Sequence, residues 1–464
     1  MKKAMLLSLL AGASTLFADG ISVTVNRIHQ RWPWEAKIDI DFTLACPEGE
    51  KVDLNPEFYD GGRKLTVPSY ALSGDVYGVS AGSRRLTLDP MQTAYTNQVF
   101  TRFSVSFSKA MPMPLYLIVD LTKSRGDAGQ LTYLTESDLR SGAYGTVEED
   151  PVAGVSSLIW TGVTNDAVYA TTKMAFRRVN PGTFTMGYGG ARIGTTKIFP
   201  GSAADTGMTA TLTQPYYIAV FPTTQGQWNQ MGLYNACYYK AEISRRPVEQ
   251  IGGTTDKTWT SMRGSDTAGE GSFWPTDGYN KPTTSFLGLL ESKIGLVCDL
   301  PTEAQWEYAC RAGTTTAYND GIARTIDNDA AFNDIVGDVG LLGRFSSNGG
   351  DNSDANVLPD DGGTANVGSY RPNAWGLYDM HGNGFECCLD HGYANTTNRY
   401  DHAVVDPAGP ATATQHIGKG GACSYAITHA TSGFRWGWSR GKQFTFRVVV
   451  FPEGVTPVVG EIYQ

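Results

Sequence analysis

LPTEAQWEYACRAG, residues 300–313, reads as a short helix with both ends written into it. Thr302 stands where a hydroxyl caps a helix, and Gln305, three residues on, reaches back to the cap amide, forming a capping box. Trp306, Ala309 and Cys310 then fall at helical spacing as a buried stripe, and Gly313 supplies the stop. The same grammar occurs upstream in TTQGQWNQMG, residues 223–232, where Thr224 caps, Gln227 reaches back, and Trp228 and Met231 share the inward face. Both are short amphipathic helices in a chain otherwise dominated by turns and rings, with 54 Gly, 23 Tyr and 10 Trp. The Gly, Asn and Asp-rich run over residues 349–363 is loop, and such loops need an organiser, for which metal ions are a candidate.

Working towards the N-terminus, FRRVNPGTFTMG (residues 176–187) gives a strand, a turn at Pro181 and Gly182, and a second short strand. Before it lies a polar stretch with an acidic patch at Glu148, Glu149 and Asp150 followed by Pro151, read as a linker over 123–166. Before that, ISVTV, KIDIDF, RRLTL, RFSVSF and PLYLIVDL alternate with period two between Gly, Pro, Asp and Ser clusters. These are half-buried strands of an antiparallel β-sandwich over residues 19–122. Trp32 and Trp34, around Pro33, read as core or edge packing. The remaining 167–464 form a second domain, consistent with 464 residues being too long for one core.

Residues 1–18, MKKAMLLSLLAGASTLFA, set Lys2 and Lys3 before an apolar run too short to span a bilayer and end on a small residue before Asp19. This predicts a secretory leader cleaved after Ala18 and a secreted or periplasmic protein with no membrane span after cleavage. A net charge of −9 without a basic run argues against nucleic-acid and anionic-lipid partners. Export makes disulfides available to the seven cysteines, of which at least one stays unpaired within a monomer.

The helix of residues 300–313 also resembles a hallmark of the formylglycine-generating enzyme, or sulfatase-modifying factor, family. Further blocks in the family's order resemble it too: FRRVNPGTFTMG, PYYIAVFPTTQGQW, RPVEQI, VGSYRPNAWGLYDMHGNGFECCLD, and GKGGACSYAITH followed by FTFRVVV. The resemblance runs from Phe176 to Val450 and implies a loop-rich α+β domain of C-type-lectin-like fold behind the N-terminal antiparallel β-sandwich. The family's namesake oxidises a protein cysteine to formylglycine with O2, using copper held by two cysteines; other relatives only bind. Function therefore has to be read from the site.

The positions matching the copper cysteines are Tyr425 and Ala430, and the serine after the closing glycine pair is Ala422. Neither Tyr nor Ala supplies the thiolate that Cu(I) requires, so copper chemistry is not expected. The alternative is an oxidase with a rearranged site built from Cys423, Cys387 and Cys388. Cys387 and Cys423 stand where relatives carry aromatic rings, so a disulfide between them is a further reading of the resemblance. The six histidines (His29, His381, His391, His402, His416 and His429) lack metal-binding spacing. The resemblance implies one calcium held by Asp379, Gly382, Gly384 and Glu386, all oxygen donors, and a second near Asn348, Gly349, Asp360 and Asp361. The expected function is a calcium-stabilised module that presents Tyr425, Arg435, Trp436 and Trp438 in a groove to an exported protein, peptide or glycan. A lectin-like display protein with variable closing loops is a third reading.

Overall fold

The computed structural model describes residues 14–17, 20–31, 34–96, 99–187, 207–239, 245–250, 257–265, 271–323, 338–348, 363–392, 402–411, 415–437 and 443–462, with the backbone alone at 192–193 and 197–198. The chain divides into two compact units, the first built on Met1–Leu115 and the second on Tyr116–Leu212 and Tyr216–Glu453.

The first unit is a sandwich of two antiparallel sheets. In one, Ser14–Leu16, Ser22–Gln30, Ile38–Ala45, Gly82–Leu88 and Leu72–Gly74 lie side by side. In the other, Lys51–Asp60 pairs with Phe103–Pro112 on one side and with Arg63–Leu65 and Val79–Ser80 on the other. Alternate residues of both sheets (Val23, Ile40 and Phe42; Leu54, Val105 and Phe107) make one core, joined by Phe42 against Phe107 at 5.5 Å. Two breaks in the alternation coincide with bulges. The register shifts between Val25 and Arg27, which returns Ile28 to the core, and between Asn55 and Pro56, the place a strand tolerates a proline.

The boundary lies earlier than the sequence reading placed it. Tyr116–Asp120 is buried along its whole length and is a strand of the second unit, pairing with Lys173–Val179. A continuous apolar run reports a strand covered on both faces, whereas a sandwich strand alternates. The presumed linker is folded as well. Leu131–Leu134 pairs with Tyr116–Asp120, Val147–Glu149 pairs with Leu158–Trp160, and Glu136–Arg140 is a helical turn with a capping box between Thr135 and Asp138.

The second unit is strand-rich α+β with few, short helices. Its largest sheet runs Leu131–Leu134, Tyr116–Asp120, Lys173–Val179, Tyr216–Ala219, Val449–Val450, Cys298–Asp299, with antiparallel neighbours throughout. A second sheet runs Trp436–Gly437, His416–Lys419, Phe385–His391, Phe444–Thr445. Both capping boxes form: Thr224 with Gln227 on Gln225–Asn229, and Thr302 with Gln305 on Glu303–Arg311. The latter helix ends on Ala312 in the left-handed region, one residue before Gly313. Its burial is not amphipathic. Trp306, Ala309 and Cys310 are buried, and so are Glu303, Glu307 and Arg311. The charged face turns inward because buried partners meet it.

Candidate functional site

The strand Phe385–His391 organises the site, since successive side chains leave a strand on opposite faces. Phe385, Cys387 and Leu389 enter the main hydrophobic core. Glu386 and Asp390 face the Glu303–Arg311 helix: the Trp306 indole donates to Glu386 Oε2 at 2.7 Å, and the Glu303 amide donates to Asp390 Oδ2 at 2.6 Å. Cys387 and Cys388 therefore point apart. Burial, followed by neighbouring carboxylates, pushes both thiols well above the ordinary cysteine range. Cys423 is also buried and lies beside Tyr239 and Arg246. All seven cysteines are free thiols, so the disulfide envisaged between Cys387 and Cys423 is not formed. Of the three cysteines of the alternative oxidase reading, Cys387 and Cys388 leave the strand on opposite faces.

Asp379, Gly382 and Gly384 lie on one tight loop, with Asp379 and Asn383 both at positive φ, that runs into the strand carrying Glu386. Glu386, however, is committed to Arg447: Nε reaches Oε2 and Nη2 reaches Oε1, each at 2.6 Å, with both side chains buried. Arg447 also donates to the carbonyls of Ala219 and Tyr378 at 2.8 and 2.9 Å. A guanidinium thus holds the carboxylate expected to close the calcium shell, and Glu386 does not fit that role. Asp379 fits better. Its carboxylate accepts from the Gly368 amide at 2.8 Å and from Asn383 Nδ2 at 3.3 Å. Burial raises its pKa to about 6, with the charge of Glu386 adding to the rise. Two buried carboxylates beside one arginine leave an excess negative charge, which a hard cation held by Asp379 and the neighbouring carbonyls would relieve. At the second site, Asn348 is spent on the fold: its Oδ1 accepts from Phe345 N at 2.7 Å and its Nδ2 donates to Gly343 O at 2.8 Å. Gly349, Asp360 and Asp361 lie outside the described residues.

The expected groove residues separate. Tyr425 and Trp436 are half-buried and, with His429, form an edge-to-face trio whose ring centroids are 5.3–5.8 Å apart. They stand on a buried floor in which Phe385, Phe434 and Phe444 take part. Arg435 is not a groove residue, because it is buried and its Nε meets Glu303 Oε1 at 2.8 Å. Trp438 lies outside the described residues. Phe385 and His429 are members that the sequence reading did not single out; their ring character next to Tyr425 and Trp436 was the available signal.

The histidines serve separate purposes. The His381 Nδ1 proton goes to Ala430 O at 2.6 Å, because Nε2 accepts from the Asn319 amide at 3.1 Å. His391 and His416 stack at 4.1 Å, with Trp259 on the far face of His416 at 3.9 Å. Among the described residues no group of three or more His, Cys, Asp or Glu side chains is arranged to hold a metal ion.

Beneath the platform lies a buried ionic network absent from the sequence reading. Lys419 Nζ meets Glu307 Oε2 at 3.0 Å and Glu303 Oε1 at 3.5 Å. Glu307 Oε1 accepts from Arg311 at 2.9 Å and from the Gly187 amide at 2.7 Å. A lysine inside the strand HIGK was the signal, since a buried ammonium requires acidic partners.

Residues 166–450 match the sulfatase-modifying factor enzyme 1-like domain. Among curated proteins, the chain is similar to the formylglycine-generating enzyme of Streptomyces coelicolor, 34% identical over 128 residues, covering 26% of this chain and 35% of that protein. It is 37% identical to the enzyme of Mycobacterium tuberculosis over 119 residues, covering 25% of this chain and 31% of that protein. The matches thus span about a third of these relatives' length. Similar solved structures include Treponema denticola variable protein 1, with 18% identity and a TM-score of 0.39, covering 60% of this chain and 96% of that one. Another is PvdO from Pseudomonas aeruginosa, with 18% identity and a TM-score of 0.39, covering 66% and 98%. Because residues 166–450, more than half of the chain, match this domain, the chain belongs to the sulfatase-modifying factor enzyme 1-like family.

Proposed function

We propose that this protein is an exported, calcium-stabilised binding module rather than a formylglycine-generating oxidase, and that the Tyr425, His429 and Trp436 platform contacts an exported protein, peptide or glycan. The carrying observation is that Tyr425, which the family resemblance sets opposite a copper cysteine, is part of a half-buried ring cluster, while Cys387, Cys388 and Cys423 are buried. Rings that rest on a fixed aromatic floor lose little freedom when a ligand stacks on them. Export is proposed from the leader-like residues 1–18, whose cleavage would remove the edge strand Ser14–Leu16 from the sandwich. No helix among the described residues is long and apolar enough to cross a membrane.

A peptide and glycan array probed with the full chain tests the platform. Tyr425→Ala and Trp436→Ala should each weaken any hit about tenfold or more, a single central ring being worth about 1–2 kcal/mol or more, with the thermal midpoint little changed because both rings are partly exposed. Hits indifferent to both substitutions would remove the platform from the proposal.

The metals are tested together by titration of the reduced full chain. Calcium should bind once and raise the thermal midpoint, and Asp379→Asn should abolish both effects. Cu(I) should show no stoichiometric, thiol-dependent binding. Tight Cu(I) binding lost in Cys423→Ser would restore the second reading, an O2-dependent oxidase of protein cysteine.

A further inference from the structure

Asp390 is a fully buried carboxylate at the N-terminus of the Glu303–Arg311 helix, and among the described residues it forms no ion pair. The helix meets it through the Glu303 amide, which donates to Asp390 Oδ2 at 2.6 Å. The cations nearby are engaged elsewhere: Arg435 Nε holds Glu303, Lys419 is shared between Glu303 and Glu307, and Arg311 holds Glu307. The helix therefore sets the Glu303 carboxylate close to Asp390 and lends it only the positive end of its dipole. On its own strand Asp390 is flanked by Cys388 and His391, and His416 stacks on His391 from the neighbouring strand. The Tyr279 hydroxyl, which donates to Val458 O at 3.4 Å, feels its charge from a third segment, after those of Asp299 and Asp406.

We infer that Asp390 is a proton-operated clamp between the Glu303–Arg311 helix and the sheet that bears the ring platform, closed when protonated and loosened when ionised. A buried carboxylate beside a second one keeps its proton, since ionising it costs desolvation and repulsion by Glu303, which the nearby Arg435, paired with Glu303, offsets only in part. In line with this, burial first and the Glu303 charge second raise Asp390 to about 7. The sign follows from linkage. The folded pKa lies above the unfolded value, so the native state binds the proton more tightly; the contribution is full near the ordinary carboxylate range and is lost as pH rises through about 7. The loosening reaches the platform through Glu303, because Arg435, which Glu303 anchors, sits between Phe434 and Trp436.

Hydrogen exchange of the full chain, corrected for the intrinsic pH dependence of exchange, tests the clamp. Protection of peptides covering 385–392 and 434–437 should fall about thirtyfold between pH 5.5 and pH 8.5. Asp390→Asn, which keeps an acceptor for the Glu303 amide, should flatten the profile. Glu303→Gln, which removes the repelling charge, should move the wild-type midpoint to lower pH. A wild-type profile that is already flat, or a fall that persists unchanged in Asp390→Asn, would overturn the inference; the wild-type measurement decides even where a variant fails to fold.

Discussion

Arg447→Met is expected to destabilise the family domain by about 3–5 kcal/mol, the cost of breaking a buried ion pair on one side. Arg447 is fully buried and places its donors on both oxygens of Glu386 and on the carbonyls of Ala219, Val220 and Tyr378. Methionine fills much of the volume and supplies none of those protons. Glu386 would keep the Trp306 indole, at 2.7 Å, as a donor to its buried charge. Because a domain holds only about 5–15 kcal/mol in total, this loss moves the urea midpoint far and can leave the domain unfolded at 37 °C. Glu386→Leu alone should be comparably damaging, since it strands the guanidinium. The double variant should recover much of the loss, because no unpaired charge remains. A double variant no better than the additive sum of the singles would show that Arg447 acts by packing alone.

Glu307→Met should cost a similar amount, and here two readings of one residue part by nearly an order of magnitude. On a solvent-facing helix, Glu307 and Arg311 would be an i,i+4 pair worth about 0.3–0.5 kcal/mol. In the structure both are buried, and Glu307 also carries Lys419 at 3.0 Å and the Gly187 amide at 2.7 Å. Removing the carboxylate leaves two cations with one acidic neighbour, Glu303, at 3.5 Å from Lys419. The expected loss is again about 3–5 kcal/mol. Equilibrium denaturation separates the alternatives: a shift below about 1 kcal/mol would return Glu307 to the surface role that an exposed pair has.

The same contrast runs through the platform and the metal loop. Tyr425 and Trp436 were readable as rings, but that Arg435 between them turns inward follows from Glu303 lying 2.8 Å away on a helix more than a hundred residues earlier. Asp379 and Glu386 were readable as oxygen donors seven positions apart; that Arg447 takes Glu386 depends on a segment far downstream meeting the strand that carries Glu386.

What the sequence determined by itself is what short-range geometry encodes. The capping boxes at Thr224 and Thr302, the alternating strands of the sandwich, and the ordered blocks that place the chain in its family each depend on residues a few positions apart, whose spacing fixes how their atoms meet. Tertiary structure alone decided the start of the second unit at Tyr116, the inward turn of the charged helix face and the free-thiol state of Cys387 and Cys423. The reason is physical. A carboxylate or an ammonium has no preferred face until a partner of opposite charge is present to offset its desolvation, and in this chain those partners arrive from distant segments.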